Sequence, residues 1–386
     1  METFRIFLIF LRLGLTSFGG PVAHIGYFRK EFVEKRHWLG DAAFVELLAL
    51  CQFLPGPSSS QMGISLGLGR GGVAGAAAAW LGFTLPSALV MGWCGVALAE
   101  HPAWFGGNWS HGLKLLACAV VADAVWSLGR QLAYDRPRQA LMAMGLALSL
   151  LAPGAPGQLG AMALAALFGQ MLPAQPQPNH ANALPMVLPV WVSLPALALF
   201  VFGLFGLPLL ADLAGGQSLA LFGRFFRAGS LVFGGGHVVL PLLREALVAP
   251  GWIADDKFLS GYALAQTVPG PLFTFAAYVG GVVTGGWAGA ALCTAGIFLP
   301  SFLLLFGVLP FWHRLRRFLP VRRALAGVNA AVVGLLLAAL YDPVFTTSVR
   351  SSVDFLIAVL LFLLLKAGRV PVPLLVVLAA LAGFVM

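Results

Sequence analysis

Long apolar segments recur along the whole chain, separated by shorter stretches that carry most of its charged residues. A helix needs roughly 20 apolar residues to cross a bilayer, and the shorter segments suit tilted or re-entrant helices. The pattern predicts an all-α polytopic membrane protein with roughly 10 to 13 crossing segments. The predicted segments lie near residues 3–20, 41–70, 71–99, 112–129, 139–153, 157–172, 186–210, 217–235, 256–283, 286–310, 324–341, 351–366 and 371–386.

The composition agrees with this pattern. Hydrophobic residues make up 60% of the chain and charged residues only 10%, whereas a soluble domain carries about 25% charged residues. So few charges cannot cover a water-exposed surface, so the apolar segments must face lipid. The net charge of +9 is explained by basic cytoplasmic loops, and we expect no nucleic-acid partner.

We expect neither cleavage of a signal peptide nor a cofactor. The first segment begins like a signal peptide, but Arg12 interrupts its apolar run and no small-residue cleavage site follows, so we expect it to remain. The cysteines lie singly in apolar segments without metal-ligand spacing, which predicts neither disulfides nor a metal or other cofactor. The cysteines are Cys51, Cys94, Cys118 and Cys293.

An internal repeat organises the sequence. Phe18-Gly19-Gly20 returns as Phe233-Gly234-Gly235 at an offset of about 215, and Pro55-Gly56-Pro57 returns as Pro269-Gly270-Pro271. We therefore expect a duplication, with a first copy in 1–172 and a second in 217–386. Residues 173–216 form the linker, whose Pro- and Gln-rich start precedes a connecting transmembrane segment.

The basic residues indicate how the two copies lie in the membrane. In the first copy they follow the first segment, within 29–36, while the stretch 100–113 has no Lys or Arg. In the second copy the stretch matching 100–113 is the arginine-rich one, at 314–323. Because Lys and Arg concentrate in cytoplasmic loops, this reversal favours inverted repeats. Inversion requires an odd number of crossings before the second copy.

Each Pro-Gly-Pro lies inside an apolar segment, in QFLPGPSSS at Gln52–Ser60 and QTVPGPLFT at Gln266–Thr274. Proline cannot continue a helix, so the helix breaks there and a new one starts with free N–H groups. Such a helix start attracts anions, although a packing kink is the alternative. The predicted substrate-binding residues are Gln52, Pro55, Gly56, Pro57, Ser58, Gln266, Pro269, Gly270 and Pro271.

The glycine-rich turns are a second candidate site. Successive N–H groups in such turns can form a concave nest for an anion, and an ordinary turn is the alternative. The candidates are Ser17, Phe18, Gly19, Gly20, Pro21, Phe233, Gly234, Gly235 and Gly236.

Charged and titratable residues in the apolar segments add further candidates. Arg12 and Arg227 occupy equivalent positions and are predicted either to bind a dianion or to extend to the membrane surface. His24, Glu46 and His237 are candidates for carrying a coupling proton. A loop position for the histidines, and a helix-end or cavity-facing position for Glu46, are equally compatible with the sequence.

The combination of these motifs resembles the chromate ion transporter family in its long two-domain form. The likeness rests on SFGGPVAHI at 17–25 with LPGP at 54–57, and on FGGG at 233–236 with VPGP at 268–271. It implies a bacterial inner-membrane protein that exports chromate, driven by membrane potential, proton exchange or both, and confers chromate resistance. Another tetrahedral oxyanion, such as sulfate, is the alternative substrate.

Other function classes fit the sequence less well. An intramembrane enzyme would need a nucleophile with a base, or a metal cluster, and the sequence has no HExxH motif, paired catalytic carboxylates or Cys/His cluster. We therefore predict that the protein is not an enzyme. An anion channel is a further alternative. The expected partners are a small oxyanion and membrane lipid, and the sequence leaves a homodimer open.

Overall fold

The fold comes from a computed structural model that describes residues 2–18, 20–101, 109–173, 188–233, 236–368, 370 and 372–385. The regular secondary structure of this part of the chain is all helical, with no strand, which confirms the all-α prediction. Its α-helices are α1 Glu2–Thr16, α2 Gly20–Phe28, α3 Asp41–Phe53, α4 Ser58–Glu100, α5 Trp109–Leu132, α6 Arg136–Leu151, α7 Ala155–Phe168, α8 Val190–Val201, α9 Leu207–Ala214, α10 Gln217–Leu231, α11 Val239–Leu247, α12 Asp255–Ala265, α13 Phe275–Thr284, α14 Trp287–Val308, α15 Trp312–Leu315, α16 Leu319–Ala339, α17 Thr346–Ser348, α18 Ser352–Ala367 and α19 Val372–Val385.

Five helical stretches in the described residues are long and apolar enough to cross a membrane, which confirms a multi-pass membrane protein. They are Ser58–Glu100, Trp109–Leu132, Val190–Leu213, Trp287–Leu315 and Leu319–Ser348. The sequence analysis assigned no helix to the stretches after the two glycine turns, where α2 and α11 lie. Each has nine residues, too few for the apolar run that marks a span.

The 43-residue helix α4 is a hairpin of two helices. Gly71 and Gly72 leave helical geometry, and Gly72 has a φ of 61°. A Cβ added at Gly67 would lie 2.3 Å from the carbonyl oxygen of Gly75, so the two arms touch backbone to backbone. Small residues allow this approach. In the second copy, α13 and α14 form the equivalent hairpin around Gly285.

The order of the helices repeats, which confirms the two-half architecture. Helices α1, α2 and α3 match α10, α11 and α12, and the two arms of α4 match α13 and α14. Helices α5, α6 and α7 match α16, α18 and α19, while α8 and α9 connect the copies. An ion pair repeats as well: Arg29 contacts Asp41 at 2.7 Å, and the equivalent Arg244 contacts Asp255 at 2.8 Å.

The two copies are intertwined. Helix α5 of the first copy packs against α18 and α19 of the second, and α16 of the second copy packs against α6 and α7 of the first. Glycines permit the close approach: a Cβ at Gly112 would lie 1.8 Å from the carbonyl oxygen of Ala379, and one at Gly327 would lie 2.0 Å from that of Ala165. Each copy therefore completes the helical packing of the other.

Each Pro-Gly-Pro break is bonded to the other copy. The backbone N–H of Gly56 donates to the carbonyl of Val232 at 2.7 Å, and that of Gly270 donates to the carbonyl of Ser17 at 3.0 Å. Ser17 and Val232 are equivalent positions at an offset of 215. These reciprocal bonds relate the copies by an approximate two-fold axis.

The regions around α3 and α12, which are equivalent helices of the two copies, lie at opposite ends of the helical bundle. Glu46, near the start of α3, contacts Arg316 beside the cavity that Arg138 lines at the start of α6. At the other end of α6, a Cβ on Gly154 would lie 3.1 Å from the carboxylate of Glu245, which precedes α12. The 16 residues of α6 span about 24 Å, so the copies run in opposite directions, as inverted repeats do.

Candidate functional site

A cavity of about 800 Å³ lies between the two copies. Helices α3 and α5 of the first copy and α16 of the second copy line it. One part, which we call the break end, reaches the first Pro-Gly-Pro. Another part, the arginine end, is lined by Arg138, Arg316, Arg322 and Arg323. Within a membrane protein, backbone that is not helical is tolerated where it lines a cavity of this kind.

The starts of three helical segments meet at the break end. Gly56 and Ser58 come from the first break, Gly20 begins α2, and Gly236 begins the 3-10 turn before α11. The first bond of the helix after the break runs from the N–H of Gln61 to the carbonyl of Pro57. The three preceding amides therefore have no acceptor within the helix. Converging N–H groups and positive helix ends favour an anion here.

Glycine at two of these positions follows from backbone geometry. Gly20 has a φ of 77° and Gly56 a φ of 122°, a region that side chains other than glycine rarely adopt. A Cβ on Gly56 would also lie 2.7 Å from the hydroxyl of Ser301 and 2.8 Å from the amide nitrogen of Gln61. The break is therefore held tightly against the second copy.

The structure brings part of the predicted site together. The predicted residues that line the cavity are Gly20, Glu46, Gln52, Gly56, Ser58, Gly236 and His237. The second break and Gln266 lie outside this lining, and so do Ser17 and Phe18. Gly19, Gly234 and Gly235 lie outside the described residues, and Pro21 belongs to the backbone of α2. The cavity thus reaches the first break but not the second.

The two histidines have different surroundings. The ring of His24 is buried against Phe83, and its Nε2 lies 3.2 Å from the carbonyl of Ser17. A carbonyl only accepts, so Nε2 carries a proton. His237 lines the cavity, with its Nδ1 2.7 Å from the hydroxyl of Tyr262. Of the two, only His237 is in a position to meet a solute in the cavity.

Arg12 and Arg227 are not brought to the cavity. Both side chains are exposed on α1 and α10, and neither belongs to the cavity lining. On α1, the exposed Leu8 and Leu15 lie on either side of Arg12 in the sequence. This surface is typical of a helix facing lipid, where a long arginine side chain can extend to the membrane surface.

The residues of the arginine end are not among the site candidates that the sequence predicts. The run 314–323 indicates only how the copies are oriented, and Arg138 lies just outside a predicted span. Glu46 accepts bonds at 2.6 Å from both the indole N–H of Trp312 and a guanidinium N–H of Arg316. The sequence signal that could identify these residues is an excess of arginine over acidic residues in segments next to apolar helices.

The two sides of the molecule differ in packing. On one side α12 packs against α5, where Lys114 contacts Asp256 at 2.6 Å. Helix α5 also contacts α18 there, through His111 and Asp354 at 2.9 Å. The equivalent pair on the other side, α3 and α16, is separated by the cavity. Helices α5 and α12 are therefore in contact, whereas the symmetry-related helices α16 and α3 are separated.

Comparison with known proteins identifies the family. The sequence profile described as chromate transporter matches residues 4–172 and 219–384. A chromate transport protein of Pseudomonas aeruginosa is 32% identical, over 99% of this chain and 92% of its own length. One from Cupriavidus metallidurans is 30% identical over 99% and 92%, and a probable chromate transport protein of Synechococcus elongatus is 29% identical over 97% and 93%. No solved structure is significantly similar to the chain.

The two profile matches coincide with the two copies found in the sequence and in the packing. Together they cover most of the chain, and the relatives are matched over nearly their full length. On the profile match over both copies and the similarity to these relatives, the chain belongs to the chromate transporter family.

Proposed function

We propose that this protein moves chromate out of the cytoplasm across the bacterial inner membrane and thereby confers resistance to chromate. The observation that carries the proposal is the cavity between the copies, which joins the arginine end to the helix starts at the first break. Arginines attract a dianion, and helix starts bind one without a metal. Family membership and the names of the relatives support chromate as the substrate.

The distribution of charges supports efflux as the direction of transport. Cytoplasmic loops are rich in Lys and Arg, so the arginine end of the cavity faces the cytoplasm. A membrane potential that is negative inside then favours exit of an anion by about 2.3 kcal/mol for each charge per 100 mV. Proton exchange adds to this driving force if Glu46 or His237, which line the cavity, carries the proton.

The asymmetry between the copies supports alternating access. Inverted repeats can exchange conformations, so that each copy adopts the packing now seen in the other. In the opposite state, α3 packs against α16 and closes the cavity, while α12 leaves α5 and opens an equivalent cavity on the other side. In that state the second break lines the new cavity, as the first break lines the present one.

Sulfate is the alternative substrate, since helix starts recognise the charge and shape of an oxyanion rather than its central atom. Competition separates the two possibilities. If chromate is the main substrate, excess sulfate inhibits chromate uptake only at concentrations well above that of chromate. If sulfate is the main substrate, it inhibits at concentrations below that of chromate.

The test is chromate uptake into everted inner-membrane vesicles, with and without a membrane potential. We expect energised uptake by the wild type and a loss of at least about tenfold for Pro57→Ala and Gln52→Ala, because they alter the break end. Gln139→Ala, at an exposed position of α6 outside the cavity lining, is the matched control. Uptake no higher than in vesicles without the protein would refute chromate transport.

A further inference from the structure

Arg138 is the most unusual charged residue of the arginine end. Its side chain is only 2% exposed, although it lies in the first turn of α6 and lines the cavity. Its Nη1 forms an ion pair with Asp135, and its guanidinium lies 4.6 Å from the ring centre of Tyr134. Its Nη2 is buried and has no hydrogen-bond partner among the described residues.

Two polar groups on the neighbouring helix α16 also lack a hydrogen-bond partner within the described residues. Arg323 and Asn329 both line the cavity from α16, which packs along α6. The Nε of Arg323 and the amide oxygen of Asn329 are buried and lack a partner in the part of the chain described. Amide oxygen and nitrogen can exchange places by rotation of the side chain, so Asn329 can equally present its N–H groups.

Leaving such polar groups without a hydrogen-bond partner is costly. A buried polar group without a partner costs about 1–3 kcal/mol, and more if it is charged. Few carboxylates are free to help: Glu46 is bonded to Arg316, and Asp123 to Lys366 at 2.6 Å. Asp135 pairs with Arg138 through Nη1 only. The Nη2 of Arg138 and the Nε of Arg323 therefore still lack an acceptor among the described residues.

We propose that Arg138, Arg323 and Asn329 form a second anion site, separate from the break end, that holds a tetrahedral oxyanion dianion. The planar guanidinium groups present N–H pairs that match the oxygens of such an ion. Because the site lies in the same cavity, it deepens the proposed function: the ion is held at the arginine end before it moves to the first break.

The site is tested by equilibrium dialysis of radiolabelled sulfate against the full-length protein in lipid nanodiscs. We expect two sites per chain, one of which weakens about tenfold in Arg323→Gln and in Arg138→Gln, as expected for a lost hydrogen bond from a charged group. Arg138→Lys and Arg323→Lys keep the charge but lose the planar fork, and we expect intermediate binding. The matched controls are Arg136→Gln and Arg317→Gln, which are exposed on the same segments and outside the cavity lining.

A lipid phosphate presents similar chemistry, so the dialysis is run in neutral and in anionic nanodiscs. Equal sulfate binding in both supports a site for a soluble oxyanion, whereas loss of the Arg323-dependent binding in anionic discs would assign the site to lipid and overturn the proposal. Sulfate binding by Arg323→Gln equal to that of wild type would also overturn it. If Arg138→Gln does not fold, sulfate binding by Arg323→Gln and Arg323→Lys still shows whether the second site exists.

This test is independent of chromate transport. Arg323-dependent sulfate binding without chromate uptake would leave the second site standing and refute the proposed function. Chromate uptake with sulfate binding that does not depend on Arg323 or Arg138 would refute the second site and leave the proposed function standing.

Discussion

The Nζ atom of Lys114, on α5 of the first copy, lies 2.6 Å from a carboxylate oxygen of Asp256 on α12 of the second copy. The lysine side chain is 5% exposed and the aspartate 67% exposed. This ion pair joins the two copies on the side opposite the arginine end. It connects helices whose equivalents, α3 and α16, are separated by the cavity.

We predict that this ion pair stabilises the conformation in which the arginine end is open. Because Asp256 is solvent-exposed, the pair contributes about 1 kcal/mol at most, and Asp256→Asn changes the equilibrium between conformations by about fivefold. The measurement is the rate at which an impermeant thiol reagent labels Ser127→Cys in the cavity, in a variant without the native cysteines. We expect slower labelling in Asp256→Asn.

The matched control for this experiment is Asp255→Asn, which removes a neighbouring charge that pairs with Arg244 within the second copy. Exchanging the two charges, in Lys114→Asp with Asp256→Lys, should restore the labelling rate. Equal labelling in Asp256→Asn and wild type would mean that the pair does not bias the conformations.

The two break glycines should not tolerate a side chain. Gly56 and Gly270 have φ angles of 122° and 106°, and a Cβ would lie within 2.8 Å of the hydroxyls of Ser301 and Ser87 respectively. We expect Gly56→Ala and Gly270→Ala each to cost about 1–3 kcal/mol of stability, seen as a lower thermal midpoint in detergent. Gly26→Ala has open space and should match the wild type; a drop as large as in the break variants would contradict the strain argument.

Glu46 offers a test of proton coupling. Its carboxylate lines the cavity and is bonded to Arg316 and Trp312. If it carries the coupled proton, Glu46→Gln keeps uptake driven by membrane potential but loses the acceleration caused by an imposed proton gradient. Glu34→Gln, whose side chain is exposed and pairs with Arg29, is the control. Full acceleration in Glu46→Gln would remove Glu46 from the proton route.

The intramembrane arginines of the two copies are predicted to contribute little to substrate affinity. Arg12 and Arg227 are exposed and outside the cavity lining. We expect the apparent KM for chromate in Arg12→Gln and Arg227→Gln to stay within about twofold of wild type, as for surface substitutions. A much larger rise in KM, without loss of protein from the membrane, would place these arginines on the substrate path after all.

Inversion of the copies predicts opposite labelling of matched positions. Lys35 and Ala249 are equivalent at an offset of 214, and both are exposed. A single cysteine at Lys35 should react with an impermeant reagent from the cytoplasmic side, and one at Ala249 from the other side. Reaction of both from the same side would indicate parallel copies.

Local sequence signals predicted much of this protein. Apolar segments, the repeat and the two Pro-Gly-Pro breaks are encoded by neighbouring residues, because helix length and proline geometry act within a few turns. The same local logic predicts Gly56 and Ser58 as substrate-binding residues, and both line the cavity. The short helices α2 and α11 were missed because each is too short to show a spanning pattern.

The sequence by itself determined that the chain is a duplicated helical membrane protein with a broken helix in each copy. Only the tertiary structure decided that α5 and α16 are exchanged between the copies, that the cavity reaches the first break and not the second, and that Arg138 and Arg323 line the cavity while Arg12 does not. The reason is physical. Equivalent residues carry equivalent local signals, so the open and closed sides differ only through packing between distant segments, which no local pattern records.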